Sequence, residues 1–443
     1  MQNSLHHHIE SIPLTSLKPW PRRTRVHDRA KRQALLASIQ QVGLIDPIIM
    51  DERSYILSGH LRVELMAELG FSEIDAFRIH HLSLPEKRAY VIAANRFPER
   101  GGWDMEVLAQ EFSVLVDMSL DLDLRTTGFE IAEVDVALQD RDNAPTPEDE
   151  EELEAPVIPI SRPGDHWVLG EHELICRNSL EAATWEGLMR GDKARLCLTD
   201  PPFNVKIQGH VSSTGHDEFA MASGEMQREE FQAFLNHARS LAVTHSVDGA
   251  LHLVAIDHRH LDDLFLAAEP LYSNRLNVNV WAKTTPGMGS LYRSQHEFFV
   301  LYKVGTSSHT NNIQLGRFGR NRSNLWTYPG ATGFRKGRTE DLAAHPTVKP
   351  TDLLADAILD LTDPGEIVID GFGGSGSLIL AAERTHRRAR VIELEPKYTD
   401  VAIARWEALT GQQAHLFETG TTFSDLKVQQ RTLALPAPEN AEG

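Results

Sequence analysis

The chain has 443 residues, 41% of them hydrophobic and 24% charged, which suits two or three folding units and leaves no apolar run near the roughly 20 residues of a membrane span. Its formal net charge is −19, and its first residues hold no apolar segment of the kind that a signal peptide needs. Only Cys176 and Cys197 are present, both among apolar residues, which excludes a disulfide framework and predicts two buried strand cysteines in a cytoplasmic protein.

The first hundred residues alternate short apolar runs with helical patterns. The predicted elements are a helix, a strand and a second helix, over residues 28–41, 47–50 and 60–69. Each helix is followed by a glycine, Gly43 or Gly70, which is typical of a helix end. This pattern predicts a small α+β domain over residues 9–103, and the mostly helical pattern beyond it predicts a helical extension over 104–138.

Acidic residues and prolines dominate residues 139–160. Between positions 140 and 154 the chain holds eight acids against one arginine, a local charge of 1 − 8 = −7. Such a composition cannot bury a core, so we expect a solvated linker, and the net charge of the chain says little about its working surface. The linker predicts a boundary before a second domain over 161–412, which is followed by a tail over 413–443.

From residue 161 onward, predicted strands and helices alternate, which is typical of a parallel sheet covered by helices on both faces. Residues 166–176 predict a hairpin that turns at Gly170, and residues 194–199 predict a buried strand that leads to Asp200. Near the C-terminus a strand, a helix, a strand and a helix are predicted over 366–370, 378–385, 389–394 and 399–409. The sequence therefore predicts an α/β domain.

A glycine-rich loop follows the strand that ends at Asp370 and leads directly into a helix. Its glycines, among them Gly373 and Gly376, let the backbone turn sharply and allow a ligand to approach the unpaired N–H groups of the helix. The next strand ends near Glu395, where dinucleotide folds carry an acid that holds ribose hydroxyls. Glu395 is preferred over Glu393 because a proline follows it; the alternative is a helix N-terminal acid favoured by the macrodipole.

A second polar segment, residues 345–350, precedes a helical pattern. Its two prolines fix the backbone, while His345, Thr347 and Lys349 supply polar groups for a bound ligand. The alternative is a rigid helix entry that binds no ligand.

The catalytic candidate is the segment after the buried strand: Asp200, Pro201, Pro202 and Phe203. The paired prolines remove N–H donors and fix the direction of their carbonyls, the carboxylate is an acceptor, and the ring is a stacking surface. Acceptors at Asp200 and at a proline carbonyl suit both hydrogens of a base amine, and Phe203 suits a base that has left the duplex. The alternative is an ordinary turn with a helix-capping aspartate.

In their order along the chain, the segments at residues 200–203, 345–350 and 370–376 resemble the beta-class amino methyltransferases of DNA. In that family a D-P-P-[Y/F] motif precedes an H-P-T-x-K-P motif and an F-x-G-x-G motif. The last motif begins here at Phe372, and the resemblance covers residues 164–411. It implies a Rossmann-like methyltransferase sheet in permuted order, with S-adenosylmethionine as cofactor at the glycine loop and the H-P-T-x-K-P segment. The aspartate at position 200 favours adenine N6 over cytosine N4 by family analogy. The chain departs from the family at residues 177–179, where Gly-Asp-Ser is usual.

The region between these motifs holds the candidates for DNA recognition. Residues 281–297 resemble the family's central motifs around the flipped base, although His296 and Glu297 are equally read as strand residues that hold a loop. Six cations lie within 22 residues, interleaved with asparagine and aromatic residues: Arg317, Arg320, Arg322, Arg335, Lys336 and Arg338. With Asn324, which suits adenine, they predict a target-recognition segment over about 305–340, in which Arg320 and Arg322 contact phosphates; a solvated loop is the alternative.

Residues 9–103 resemble the ParB/sulfiredoxin-like domain, on four matching stretches: 17–19, 43–48, 58–62 and 94–96. In relatives a G-x-x-R turn and an N-R turn surround a nucleotide phosphate. The resemblance implies a nucleotide at Gly59, Arg62, Asn95 and Arg96. The three adjacent histidines 6–8 are not expected to bind a metal, because adjacent residues rarely converge on one ion, and no metal site is predicted.

Three functions fit the sequence. The leading one is a site-specific DNA methyltransferase acting on adenine N6; the second is the same chemistry on cytosine N4 or on RNA. The third is a non-catalytic ParB-like DNA-binding regulator, against which the intact Asp200 and glycine loop argue. Expected partners are double-stranded DNA, a nucleotide at the N-terminal domain and a second copy of the chain, with no membrane. No nuclease motif is visible, which favours a solitary methyltransferase.

Overall fold

A computed structural model describes residues 9–21, 29–118, 123–141, 158–205, 222–286, 291–317, 320–330 and 349–434. The chain divides into two compact units, Met1–Arg141 and Asp142–Gly443. Across the described ranges, no helix has the length and apolar character that a bilayer crossing requires.

The N-terminal unit contains a small sheet and five α-helices within its described residues. The strands are β1 Ile9–Pro13, β2 Ile48–Asp51, β3 Ile56–Ser58 and β4 Glu73–Ile79, in the spatial order β1-β4-β2-β3. The helices are α1 Arg29–Val42, α2 His60–Glu68, α3 Leu84–Arg100, α4 Met105–Met118 and α5 Ile131–Arg141.

Two apolar clusters stabilise this unit. The first joins the sheet to α1 and α2 and includes Ile39, Ile48, Met50, Leu61 and Leu65. The second joins α4 to α5 and includes Ala109, Phe112, Leu124, Ile131 and Val134. The helical spacing of the apolar residues in α1 and α2 is what buries one side of each helix on the sheet.

The strands of the second unit form one sheet. They are β5 His166–Leu169, β6 His172–Cys176, β7 Ala194–Thr199, β8 Ser246–Ile256, β9 Asn274–Lys283, β10 His296–Lys303, β11 Leu325–Tyr328, β12 Ile367–Asp370, β13 Arg388–Glu393 and β14 His415–Leu416. Their spatial order is β11-β9-β10-β8-β7-β12-β13-β6-β5-β14. The helices are α6 Ala182–Met189, α7 Arg228–Thr244, α8 Leu261–Ala268, α9 Thr351–Leu361, α10 Ser377–Arg384, α11 Pro396–Thr410 and α12 Phe423–Ala434.

The middle of this sheet is parallel. β8, β7, β12, β13 and β6 pair in parallel with their neighbours, while β9 and β10 on one side and β5 on the other add antiparallel pairs. Residues of β7 and β12 are mostly apolar, and all of them except Arg195 are buried, as expected of strands covered on both faces. The predicted α/β fold is confirmed, and Cys176 and Cys197 are buried in β6 and β7.

The sheet brings three strand ends together. Because β7, β12 and β13 are adjacent and parallel, their carboxyl ends lie at one edge, where open α/β sheets bind ligands. β7 is followed by Asp200, β12 ends at Asp370 and β13 ends at Glu393. Carboxylates from three separate parts of the chain therefore share this edge.

Candidate active site

A cavity lies at the carboxyl edge of β7, β12 and β13. Nine of the predicted catalytic and cofactor-binding residues line it: Asp200, Pro201, Pro202, Phe203, Lys349, Asp370, Phe372, Gly373 and Glu395. Asn178 and Ser179, in the segment that departs from the usual Gly-Asp-Ser, line it as well. The cavity thus joins the predicted catalytic segment to the predicted cofactor loop.

The glycine loop is packed closely against its surroundings. Gly373 donates its N–H to the carbonyl of Ile392 (2.9 Å), and a Cβ built on Gly373 would lie 2.4 Å from Cγ1 of Val391. Gly376 has a φ of +81°, and a Cβ there would lie 2.5 Å from Cβ of Ala402 on α11. Gly376 lies between Ser375 and Ser377, which both line the cavity, and its lack of a side chain allows α10 to start against α11. Its contact with a cofactor stays a prediction.

Two glutamates follow one another at the end of β13. Glu393 accepts hydrogen bonds from the N–H of Gly374 (2.6 Å) and from the N–H of Glu395 (2.8 Å). Burial raises the pKa of Glu393 to about 7, although both backbone hydrogen bonds lower it. Glu395 occupies the N-cap position of α11 without making a side-chain capping hydrogen bond. The cavity therefore has Glu395 as an acid available to a ligand, while Glu393 holds the loop.

Asp370 connects the catalytic strand to the glycine loop. Its Oδ1 accepts a hydrogen bond from Oγ1 of Thr199, at the end of β7 (2.6 Å), and another from the N–H of Phe372 (2.9 Å). Burial raises the pKa of Asp370 to about 6, against the effect of both hydrogen bonds. Asp370 thus fixes the loop against the strand that leads to Asp200.

Asp200 presents two oxygens in different situations. Oδ2 accepts a hydrogen bond from Nζ of Lys349 (2.5 Å). Oδ1 is buried and has no hydrogen-bond partner among the described residues. Burial raises the pKa of Asp200, and the Lys349 ammonium opposes this. A buried acceptor without a donor is rare in folded proteins, so Oδ1 is suited to a donor that arrives with a ligand.

Lys349 is the centre of an alternating series of charges. Its Nζ lies 2.5 Å from Oδ2 of Asp200 and 3.2 Å from Oε2 of Glu297, whose Oε1 lies 2.5 Å from Nζ of Lys283. We call these four residues the charge chain. Burial favours neutral Glu297, but the ammonium groups of Lys349 and Lys283 lower its pKa to about 2. Burial likewise opposes the Lys349 ammonium, and the two carboxylates outweigh it and raise its pKa.

The charge chain includes residues that sequence reasoning did not assign. Lys349 lines the cavity, where the sequence predicts a ligand contact, and it also pairs with the catalytic candidate Asp200. The sequence motifs predict no site role for Lys283, and they fit Glu297 equally to a site role and to a strand role. The only signal for them in the sequence is that two charged residues border apolar strands, since Lys283 ends β9 and Glu297 lies near the start of β10.

Two of the predicted DNA-binding arginines are held inside the unit. The guanidinium of Arg320 lies 2.8 Å from Asp360 and 3.1 Å from Asp356, and that of Arg322 lies 3.1 Å and 2.8 Å from the same two carboxylates of α9. Tyr328 donates a hydrogen bond to Asp356 and accepts one from Arg322. This corrects the expectation of phosphate contacts, because both arginines are occupied in pairing α9 to the segment before β11.

The other predicted DNA contacts have different environments. Arg317 and Asn324 are exposed, and Asn324 donates a hydrogen bond to Oδ1 of Asn277 on β9 (3.3 Å). The remaining predicted residues lie outside the described ranges: His345, Thr347, Arg335, Lys336 and Arg338. The recognition segment is therefore described over residues 305–317 and 320–330.

In the N-terminal unit, the four predicted nucleotide-binding residues belong to two helices. Gly59 is the N-cap of α2 with a φ of +102°, and Arg62 in that helix pairs with the exposed Asp46 (2.8 Å). Asn95 and Arg96 lie in α3, where the amide of Asn95 donates to a carbonyl of its own helix (2.9 Å).

A cavity in the described part of this unit is lined by other residues, among them Trp20, Tyr55 and Lys87. Lys87 is buried and lies 3.1 Å from Asp51 and 2.6 Å from Glu52. The four predicted residues are not among those that line it. Lys87 is fully engaged by two carboxylates, so this cavity offers an anionic ligand no open cation at that position.

Comparison with protein families divides the chain into three matches. Residues 194–404 match the N6/N4 DNA methylase family, residues 1–96 match the ParB N-terminal domain, and residues 106–163 match the ParB-methyltransferase HTH domain. The last match was not anticipated from the sequence, which suggested a helical extension and a linker there. The first match covers the charge chain and the glycine loop.

Individual proteins show the same similarity at low identity. The chain is 26% identical over 235 residues to the Type II methyltransferase M.HinfI of Haemophilus influenzae, covering 47% of this chain and 62% of that protein. It is 22% identical over 254 residues to M.HpaI of Haemophilus parainfluenzae, covering 54% and 75%. The solved M1.HpyAVI–SAM complex is 18% identical, covers 52% of this chain and 97% of that one, and has a TM-score of 0.39. The match spans less than two thirds of M.HinfI.

Proposed function

We propose that this chain, whose residues 194–404 belong to the DNA methylase family behind a ParB-like N-terminal domain, transfers a methyl group from S-adenosylmethionine to an exocyclic amine of a DNA base. The observation that carries the proposal is Oδ1 of Asp200, a buried acceptor at the cavity without a described donor. An exocyclic amine is a donor that fits this position. The relatives named as Type II methyltransferases support the same chemistry.

The glycine-loop side of the cavity fits the cofactor. Gly373 presents bare backbone where any side chain would collide with β13, and Glu395 offers a carboxylate for the ribose hydroxyls. The bound cofactor supplies a sulfonium methyl group that is already an activated electrophile, so neither a metal nor a covalent intermediate is needed.

The base side of the cavity is formed by the catalytic segment. Asp200 Oδ1 accepts one hydrogen of the amine, a carbonyl of the paired prolines accepts the other, and Phe203 stacks on the base. Phe203 is held by packing against the apolar core, and Nζ of Lys349 lies 5.5 Å from its ring centroid. A base reaches this site only after it leaves the duplex, so the proposed substrate is a flipped base.

We propose adenine N6 as the methylated amine. The related enzymes carry aspartate or serine at the position of Asp200, and aspartate favours adenine by analogy with that family. The test is nucleoside mass spectrometry of DNA and RNA from cells that express the chain, with the Asp200→Asn variant as the control. We expect N6-methyladenine in DNA, absent from the control. N4-methylcytosine or methylated RNA would contradict the base or substrate assignment, and no methylated base would favour the regulator.

For the ParB-like domain we propose a nucleotide whose phosphates lie at the start of α2, next to Arg62. The N–H groups of a helix start and a guanidinium bind phosphate together, and the exposed Asp46 is a weak competitor for Arg62. Isothermal titration of the full chain with CTP and with ATP is expected to give a heat of binding that Arg62→Ala abolishes and that Arg53→Ala, at an exposed arginine of the same unit, retains. The absence of heat with both nucleotides in the unmodified chain would remove the proposal.

A further inference from the structure

The charge chain contains more ions than are needed to neutralise Asp200. Lys349 alone would compensate Asp200, yet Glu297 and Lys283 form a second ion pair in contact with the first. Only 7% of the Lys349 side chain and 16% of the Glu297 side chain are exposed, so neither group is well solvated. Buried ions cost free energy unless they are well paired, so a second pair at this place calls for a function.

The geometry shows what the second pair does to Lys349. Glu297 forms a second ion pair with the ammonium at 3.2 Å, without a hydrogen bond from it, and Nζ also lies 6.0 Å from the ring centroid of Trp281 on β9. Lys283, at the end of the same strand, holds the other oxygen of Glu297. The ammonium is therefore fixed at Oδ2 of Asp200 and leaves Oδ1 without a donor.

We infer that Glu297 and Lys283 are positioning residues for methyl transfer, which hold Lys349 on Oδ2 of Asp200 so that Oδ1 receives the proton released by the methylated amine. This inference rests on the proposed function. The amine nitrogen forms a bond to the methyl carbon as the carbon–sulfur bond breaks, and sulfur keeps that electron pair. The nitrogen then loses a proton to Oδ1 and keeps the electrons of the N–H bond.

In this step one positive charge moves from the sulfonium to the charge chain. Before the transfer the chain holds two ammonium groups and two carboxylates; afterwards Asp200 is neutral and the chain carries one net positive charge. The carboxylate of Glu297 stabilises the positively charged chain that contains neutral Asp200. The ammonium of Lys283 partly neutralises Glu297 and so weakens this stabilisation. Burial raises the pKa of Asp200 most, and of the neighbouring charges Lys349 and Lys283 lower it while Glu297 raises it.

Two substitutions therefore have opposite expected effects on the pH dependence. Glu297→Gln removes a negative charge that makes Oδ1 a better proton acceptor, so the acid limb of the single-turnover rate should move to lower pH and the plateau should fall about tenfold. Lys283→Met should move the acid limb to higher pH. The other carboxylates that line the cavity, Asp370, Glu393 and Glu395, are retained in both variants, so the difference between the two pH profiles reports the substituted residue.

The experiment measures single-turnover methyl transfer to duplex DNA between pH 5 and 9, together with the dissociation constant of S-adenosylmethionine. Opposite shifts, with cofactor affinity kept within about twofold, support the inference, and Lys283→Arg should keep the wild-type profile. Shifts in one direction, or an unmoved acid limb, would overturn it. If Lys283→Met does not fold, the profile of Glu297→Gln decides alone.

A matched control comes from the opposite edge of the sheet. Glu366, just before β12, pairs with Arg195 at 2.9 Å and is also mostly buried. Glu366→Gln removes a partly buried ion pair without touching the charge chain, so the acid limb of this variant should match that of the unmodified chain. If the unmodified chain transfers no methyl group although it binds DNA, the proposed function itself is wrong; if it does and the variants match it, only this inference is wrong.

Discussion

Replacing Asp200 by asparagine is expected to lower the rate of methyl transfer about a thousandfold and to leave cofactor affinity within about twofold of the unmodified chain. The substitution keeps the size of the side chain, so the cavity keeps its shape. At position 200 the ammonium of Lys349 can be met only by the amide oxygen, because the amide nitrogen of asparagine does not accept a hydrogen bond. The amide NH₂ then faces the cavity in place of Oδ1, and a donor meets the donor hydrogens of the amine.

The measurement is transfer of a labelled methyl group from S-adenosylmethionine to DNA, with cofactor binding measured separately by titration. Asp262→Asn is the matched control, because this exposed carboxylate lies on α8 and not at the cavity. It should leave both quantities unchanged. A variant at position 200 that transfers methyl groups at the normal rate would exclude the proposed role of Oδ1.

The fold followed from local features of the sequence. The strand predicted over 194–199 has these bounds in the structure, and the hairpin predicted over 166–176 turns at Gly170 as expected. Apolar periodicity and glycine positions act over a few residues, so they are readable without knowing what lies elsewhere in the chain. The cavity could be anticipated from the same features, since strand ends in a parallel sheet share one edge.

The pairing of side chains could not be anticipated in this way. Lys349 and Asp200 are 149 positions apart, and nothing in either motif states that one holds the other. Packing against a distant helix is equally invisible in the motif at Gly376. The motif suggests that this glycine serves a ligand, and the structure shows that a side chain there would collide with α11. A motif specifies residue types and backbone shape, but the direction of each side chain is set by packing across the sheet.

The arginines before β11 show most clearly that side-chain pairing cannot be predicted from residue types alone. The composition of their segment suggested DNA binding, but in the structure they pair with carboxylates of α9. Asp356 and Asp360 lie four residues apart in α9, so both face the same side of the helix. An acidic pair on a largely buried helix needs cations, and Arg320 and Arg322 supply them. Helical spacing of the acids was the available sequence signal for this cluster.

Removing one of these buried arginines is therefore expected to lower the stability of the fold. Arg320→Met should lower the free energy of unfolding by about 3 kcal/mol, because it leaves the buried Asp360 with one of its two guanidinium partners. Methionine keeps most of the buried volume, so the loss reports the charge and not a cavity. Denaturant unfolding gives the free energy, and the salt dependence of DNA binding should stay unchanged.

Arg317→Ala is the control within the same segment, because Arg317 is exposed. Arg317→Ala should change the free energy of unfolding by no more than about 0.5 kcal/mol. If Arg317 contacts a phosphate of the DNA, the same substitution should lower the slope of log affinity against log salt by about 1. Combining Arg320→Met with Asp360→Asn should recover part of the lost stability, since removing both charges leaves fewer uncompensated ions than removing one. A lowered salt slope with unchanged stability in Arg320→Met would instead place that arginine on DNA, because only a guanidinium free of Asp360 can neutralise a phosphate.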